Sequence, residues 1–456
     1  MSFFDTIAAV STPRGKGGIA VLRISGEGTR ALLQKVFRPF AKNPENHPRY
    51  AAYGEIVGED GGVLDEGIAV FFPGPHSFTG EDVAELSCHG GALVTEQVLS
   101  AVLSAGARLA EPGEFTRRAV QNGKMKLSAA EALGELLEAK TTGQLALSRG
   151  GLRGKLSGAL DSAFSKLSLL LADAYAKIDF PDEDLNSMSR EQLCAAFGAL
   201  RDELSGLAET YRIGHAVGEG VRTVICGPVN AGKSTLYNAL VGRDAAIVTD
   251  VAGTTRDILC ETVALGQVTL RLFDTAGLRE TADAVEEIGV SRAREAMQNA
   301  ELILCVLNAA APVDGEVRAL LCDLEQSDAT VAVVLNQCDR GDSFPAEMLQ
   351  SFTHVVRLSA KSGDISALKA LIEGMFLHEG INLGEDPIVS NARQHAALCR
   401  AVSSLSFAVE ALELGVPLDA ACVDAELAMS ALGEVDGRAV DEQILSDIFA
   451  NFCVGK

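Results

Sequence analysis

Eight consecutive residues, Gly227-Pro228-Val229-Asn230-Ala231-Gly232-Lys233-Ser234, fit the pattern G-x-x-x-x-G-K-[ST]. They follow a β-rich run, Arg222–Cys226, and precede a helical one. In that setting the glycines let backbone N–H groups converge on phosphate oxygens, and the positive end of the following helix adds to their pull. Lys233 would reach the outer phosphates and the Ser234 hydroxyl would ligate Mg²⁺. A chance glycine loop would not come with both the strand and the helix, so these residues read as a nucleotide site.

Four further segments follow in the order that guanine-nucleotide chemistry requires. The stretch Thr249-Asp250-Val251-Ala252-Gly253-Thr254-Thr255 ends in hydroxyls, and a threonine there suits Mg²⁺. Asp274-Thr275-Ala276-Gly277 closes the run Val268–Phe273, where a carboxylate can hold the metal's water shell and a glycine N–H can sense the terminal phosphate. Asn336 and Asp339 follow the apolar run Val331–Leu335. The aspartate can accept from guanine N1 and the exocyclic amine, with Ser359-Ala360-Lys361 supporting the base. Adenine offers no such donor pair and would leave that carboxylate unpaired, so the choice of base is sharp. Together behind one phosphate loop, the segments predict GTP binding.

Two departures stand out. Gln337 occupies the place of the lysine usual between Asn336 and Asp339, whose stem covers the base and whose ammonium braces the phosphate loop. Guanine selectivity is expected to survive and affinity to fall. Leu278 stands where a water-orienting glutamine is familiar. Asn230, with carbonyls of the Thr249–Thr254 loop, is a candidate ligand set for an additional monovalent cation, which could replace an arginine finger worth ~10³–10⁵ in rate. Glu286 or Glu287 could orient water, but on spacing alone the acidic run around them, Asp283 to Glu287, reads more readily as a solvated helix start.

The elements that must hold these residues come in three textures. From 1 to about 120, short β-rich runs (Gly18–Ile24, Tyr50–Val57, Gly67–Phe72, Val83–Cys88) surround one helical stretch, Val94–Ala107, and predict an α+β domain. Residues 121–217 are helical in pattern, broken at Phe180-Pro181-Asp182 and resumed over Met188–His215. Residues 218–380 alternate strands and helices, predicting a mostly parallel sheet covered by helices. Residues 381–456 return to helix. The expected architecture is multidomain: an α/β nucleotide domain inserted between two segments of a helical domain, behind an N-terminal α+β domain.

Composition sets limits on function. With Lys plus Arg at 39 and Asp plus Glu at 62, the formal charge is −23, which disfavours a protein that coats nucleic acid by itself. The ten cysteines form no C-x-x-C pair and several sit in apolar runs, as reduced thiols of a cytoplasmic protein would. No run approaches the ~20 apolar residues of a membrane span. The N-terminus lacks the basic and apolar regions of a secretory signal.

Beyond these readings, the whole chain resembles the MnmE (TrmE) family of tRNA modification GTPases. The resemblance rests on Asp5-Thr6-Ile7-Ala8-Ala9, Leu22-Arg23-Ile24-Ser25-Gly26, Ser77-Phe78-Thr79-Gly80-Glu81-Asp82 and His89-Gly90-Gly91. It continues through Pro112-Gly113-Glu114-Phe115-Thr116-Arg117-Arg118-Ala119, Leu127-Ser128-Ala129-Ala130-Glu131-Ala132, Asp274-Thr275-Ala276-Gly277-Leu278-Arg279-Glu280 and Phe452-Cys453-Val454-Gly455-Lys456. It implies a Ras-like P-loop domain and an N-terminal domain that binds a tetrahydrofolate derivative (5-formyl- or methylene-) and dimerises. It also implies a flavoprotein partner, MnmG, in a heterotetramer. Together these would place a carboxymethylaminomethyl- or aminomethyl-type group on C5 of the wobble uridine of certain tRNAs. Carried over by position, folate contacts fall on Arg23, Glu81, Lys124 and Lys456, potassium ligands on Asn230, Thr249, Val251 and Thr254, Mg²⁺ ligands on Ser234 and Thr255, and the water-orienting role on Glu286. The chemistry is reasonable: a folate's glutamate tail suits the basic residues and its pterin donors suit Glu81.

Cys453 is a candidate nucleophile near the C-terminus, or equally an apolar thiol that docks the tail. The acidic balance suggests that tRNA is gripped largely by the partner, with local help from Arg117, Arg118, Lys124 and Lys126. A GTP-timed switch in ribosome assembly is the competing function, but such proteins usually carry a basic RNA-binding domain. A non-catalytic scaffold is a third, motivated by Gln337 and Leu278.

Overall fold

Alternation of apolar and polar residues produces the first sheet. In β2 (Ile19–Ser25) the buried positions Ala20, Leu22 and Ile24 alternate with more exposed ones, and β5 (Val63–Phe72) buries Gly67, Ala69 and Phe71 in the same way. With β1 (Ile7–Val10), β3 (Phe37–Pro39), β4 (Ala52–Val57), β6 (Val83–His89) and β7 (Arg108–Leu109) they form a sheet of order β3-β4-β5-β6-β2-β1-β7. It is antiparallel except for the β1–β7 pair. Helices Thr29–Val36 and Ala92–Ser104 cover one face, packing Leu32, Leu33, Val98 and Val102 on Leu22, Ile24, Ile56, Phe71 and Leu86.

The computed structural model describes residues 5–13, 15–180, 187–244, 261–273, 298–377, 380–438, 442–450, 452 and 454–455. The chain divides into two units: residues 1–134 with 433–456, and residues 135–432. The last stretch therefore belongs with the N-terminal sheet. Phe449 of helix Glu442–Ala450 packs on Leu127 and Ala130, and Val454 forms an isolated antiparallel bridge with Pro112.

In the second unit the apolar runs are continuous, because a parallel sheet is buried on both faces. β11 (Leu302–Asn308) sends Leu302, Leu304 and Val306 into one core and Ile303, Cys305 and Leu307 into another. Its sheet runs β13-β12-β11-β8-β10-β9, with β8 (Val221–Cys226), β9 (Glu261–Leu265), β10 (Val268–Leu272), β12 (Thr330–Asn336) and β13 (His354–Arg357). Only the β9–β10 pair is antiparallel. Helices Lys233–Asp244 and Ser366–Phe376 pack on the first core through Leu236, Leu240, Leu368 and Ile372; Gly315–Glu325 packs on the second through Val317, Leu321 and Leu324.

The remaining helices of this unit include Thr142–Leu152, Lys155–Asp179, Arg190–Glu209 and Ala392–Glu413. Capping boxes start two of them, Thr141 with Gln144 and Ser189 with Gln192. Arg190 donates to the carbonyls of Leu412 (3.2 Å) and Val416 (2.8 Å), closing the end of the helix against which its own helix packs. The helical pattern over Met188–His215 is interrupted at Thr210: the Thr210 hydroxyl donates to Leu207 and accepts from the Val389 N–H, and a short helix Tyr211–His215 follows. Among the described residues no helix is long and apolar enough to cross a membrane. Nor do three or more metal-ligating side chains cluster there.

Candidate functional site

β8, β12 and β13 run parallel, and their carboxyl ends deliver the phosphate loop, the Asn336–Asp339 segment and the Ser359–Lys361 segment to one edge of the sheet. Ligands of open α/β sheets bind in that position. The loops are tied to one another by side chains. Asn336, 2% exposed, donates through Nδ2 to the Ala231 carbonyl (2.9 Å) and accepts through Oδ1 from the Ala360 N–H (2.9 Å). Such close approach needs Gly232 at φ +93°, where a Cβ would lie 2.2 Å from Asn336 Nδ2.

The lysine of the loop begins helix Lys233–Asp244, and its Nζ donates to the Gly227 and Pro228 carbonyls at 2.8 and 2.9 Å. Burial pushes its ammonium below the ordinary lysine value. Ser234 and Thr235 are exposed in the first turn, and Asn230 stands exposed at the crest with φ +62°, a conformation asparagine tolerates. The Asp339 carboxylate is exposed, and a hydrogen bond from Ser359 holds it below the usual carboxylate range. The acceptor expected to read guanine is thus tied to the Ser359–Lys361 segment expected to support the base.

Gln337 keeps a contact with the phosphate loop. Its Nε2 donates to the Asn230 carbonyl at 3.0 Å, so the bracing expected of a lysine is made by a carboxamide. Thr249, Asp250, Val251, Ala252, Gly253, Thr254 and Thr255, together with Asp274, Thr275, Ala276, Gly277 and Glu286, lie outside the described residues. So do Cys453 and Lys456.

The first unit gathers a second set of polar residues around the turn at 79–81. Glu81 accepts from Ser25 Oγ at 2.7 Å and from both contacts of Arg118 Nη1, at 3.1 and 3.2 Å. Ser25 Oγ also lies 2.7 Å from Thr79 Oγ1. Arg23, two residues before Ser25 on β2, pairs with Glu85 at 2.8 Å, its guanidinium 5.2 Å from the Phe78 ring and 5.8 Å from that of Phe115. The Lys124 stem rests against Gly80, and Lys124 is exposed. Arg23, Glu81 and Lys124 are therefore linked through this turn.

Sequence reasoning misplaced Arg118. It is 5% exposed and ion-paired with Asp5 (2.7 Å), Glu81 and Glu114 (2.9 Å), so it belongs to a buried network and not to a basic surface patch. Lys126 is engaged by Asp436 at 2.9 Å. A signal did exist: Glu114 and Arg118 are four apart on the same helical face as Phe115 and Ala119, all buried.

A phosphate loop after the first strand of the 13-12-11-8-10-9 sheet, with asparagine and aspartate after β12, defines a P-loop GTPase domain of Ras-like topology. Two family models cover almost all of the chain: GTP-binding protein TrmE N-terminus over residues 6–124 and MnmE helical domain over residues 127–453. The tRNA modification GTPase MnmE of Symbiobacterium thermophilum is 42% identical over 99% of both chains. The MnmE proteins of Heliobacterium modesticaldum and Thermotoga maritima are 40% and 39% identical, each over 99% of this chain. The chain belongs to the MnmE family of tRNA modification GTPases.

Proposed function

We propose that this chain hydrolyses GTP, with potassium activation, in the modification of C5 of the wobble uridine of certain tRNAs. In this reading residues 1–120 bind a tetrahydrofolate one-carbon donor and dimerise, residues 218–380 turn over GTP, and the flanking helical segments, 121–217 and 381–456, carry the C-terminal tail. A flavoprotein partner of the MnmG type supplies the redox chemistry and most of the grip on tRNA. The observation that carries the reading is the Asn336 side chain bonded to both the phosphate loop and the Ala360 loop, which builds a guanine-nucleotide site from three separated segments.

The donor chemistry of the described residues suits the ions. Ser234 offers a hydroxyl for Mg²⁺ and Asn230 a carboxamide oxygen for potassium, both exposed at the loop. Lys233 supplies fixed positive charge to the phosphates, and the ions would neutralise charge that develops on the transferred group. In the first unit Glu81, kept in place by Ser25 and Arg118, is an acceptor suited to pterin N–H donors, and Arg23 and Lys124 suit a folate's carboxylates.

The test is the steady-state GTP hydrolysis rate in KCl against NaCl at equal ionic strength, together with wobble-uridine analysis of a deletion strain. Strong potassium dependence and loss of the modification are expected. Equal low rates in both salts would remove the cation from the mechanism. Ribosomal subunit defects with normal tRNA would favour the assembly switch instead.

A further inference from the structure

The guanine loop of this chain has Gln337 in place of a lysine, and its carboxamide has polar neighbours on both sides. Nε2 donates to the Asn230 carbonyl at 3.0 Å. Oε1 accepts from Arg340 Nη1 at 3.0 Å and from Asn308 Nδ2 at 3.4 Å. A carboxamide can be turned over, exchanging its donor and acceptor ends, so its partners decide which end faces the phosphate loop.

All three partners demand the same orientation. A backbone carbonyl can only accept, so Asn230 needs the nitrogen. A guanidinium can only donate, so Arg340 needs the oxygen. The Asn308 oxygen already accepts from the Ala310 N–H at 2.9 Å, which leaves its nitrogen for Gln337. A short 3₁₀ turn, Cys338–Arg340, brings the arginine back over the glutamine, with the Arg340 N–H on the Gln337 carbonyl at 3.0 Å. Arg340 makes the only charged contact of the three. A cation on the amide oxygen also polarises the N–H groups and strengthens their bond to the loop.

We propose that Arg340 is a positioning residue for nucleotide retention: it locks the Gln337 carboxamide with Nε2 on the phosphate loop, so that two side chains do the work of one lysine. Without it only the two neutral contacts, to Asn230 and the longer one to Asn308, oppose the reverse orientation, which would set Oε1 against the Asn230 carbonyl and release the loop. The inference rests on the GTP-binding reading above and adds to it a residue that reaches the phosphate loop through Gln337, apart from the charge it sets beside Asp339.

The experiment is stopped-flow dissociation of a fluorescent GDP from the full-length chain and from Arg340→Ala, Arg340→Lys, Gln337→Lys and the double variant Gln337→Lys/Arg340→Ala. Arg340→Ala should accelerate dissociation roughly 3- to 10-fold, the range of one exposed charge-assisted hydrogen bond. Arg340→Lys should restore most of the loss. In the Gln337→Lys background, where the introduced ammonium braces the carbonyl directly and has no orientation to lock, removal of Arg340 should change the rate by less than about twofold. Equal acceleration in both backgrounds would mean that Arg340 acts on the nucleotide or the fold independently of Gln337, and would overturn the proposal. So would an unchanged rate in Arg340→Ala alone. Failure of the unaltered chain to bind the fluorescent GDP is a different result, and it would overturn the GTP reading itself.

Discussion

Asn336 donates through Nδ2 to the Ala231 carbonyl across 2.9 Å, joining the end of β12 to the loop after β8. Its other end accepts the buried Ala360 N–H. Asn336→Ala removes both bonds and leaves a buried donor unpaired, at a cost of about 1–3 kcal/mol. GDP affinity should fall at least about tenfold, since both loops lose their common anchor. Asn336→Asp should do no better, because its second oxygen would face the Ala231 carbonyl. Titration with fluorescent GDP checks this, and wild-type affinity in Asn336→Ala would show that the anchor is dispensable.

Lys233 and Glu286 should separate binding from turnover. Lys233→Ala removes the charge proposed to meet the phosphates and should abolish nucleotide binding; undiminished affinity would sink the phosphate-loop assignment. Glu286→Ala should leave GDP affinity within a factor of about two and slow hydrolysis by ~10² or more, the scale of a lost general base or water-positioning group. Single-turnover hydrolysis of GTP reads this directly. An unchanged rate would return the role to Glu287 or to the cation.

The nucleotide site was legible because its chemistry is written in short contiguous segments, each at the end of an apolar run. The 227–234 loop needs no distant partner to be recognised. Gln337 was legible as a departure but not as a working brace, because its acceptor is the carbonyl of Asn230, 107 positions away. The interruption at Thr210 was hidden for a similar reason, since the helical pattern runs on and only the contact with Val389 shows the break. Arg118 was misread because its three carboxylate partners come from residues 5, 81 and 114, and spacing exposes only the last.

That buried arginine yields a prediction whose size depends on pH. Arg118→Met strands Asp5, Glu81 and Glu114 with less counter-charge, and breaking such a buried cluster costs about 3–5 kcal/mol. Burial works to raise the Glu114 carboxyl, but the Arg108 guanidinium, the Glu111 N–H and Arg118 hold it below its ordinary 4.5. A depressed carboxyl stabilises the fold above its unfolded value, and that contribution is lost as the pH falls through the folded one. The wild type should therefore lose stability below about pH 4.5, while protonation relieves the variant's repulsion. Urea midpoints should differ widely at neutral pH and converge in acid. Equal midpoints at pH 7 would show that Arg118 contributes nothing net.

His215 should impose the reverse dependence. Its Nδ1 lies 3.2 Å from Glu219 and its Nε2 2.8 Å from Glu301, at the point where helix Tyr211–His215 leads into β8. Glu219 first, and Glu301 with it, raise the imidazole above its ordinary 6.5 although burial opposes them. The other groups facing this cluster are Tyr211 on the same helix, Arg222 from β8 and Arg271 from β10. A raised histidine stabilises fully below its unfolded value and ceases to do so as the pH rises through the folded one, so the loss falls above about 6.5. The thermal midpoint should drop as the pH rises above about 6.5, and His215→Gln should flatten that drop. An equal drop in the variant would assign it to another group.

The C-terminal tail is seated by a glycine whose geometry leaves no alternative. Gly455 has φ +99°, and a Cβ there would lie 2.5 Å from the Val10 carbonyl oxygen. From this position its own carbonyl accepts from Ser11 Oγ at 3.0 Å, next to the bridge between Pro112 and Val454. Gly455→Ala should therefore unseat residues 454–455 without disturbing the sheet core, whose contacts lie elsewhere. Amide exchange at Val454 should accelerate by about tenfold or more, as expected when a locally held terminus frays. Because Lys456 follows by one residue, the folate reading adds a second consequence: affinity for a formyl-tetrahydrofolate should fall in parallel. Fast exchange with unchanged folate affinity would keep the tail's docking and remove Lys456 from the folate site, whereas unchanged exchange would mean that the backbone can shift to admit the methyl group.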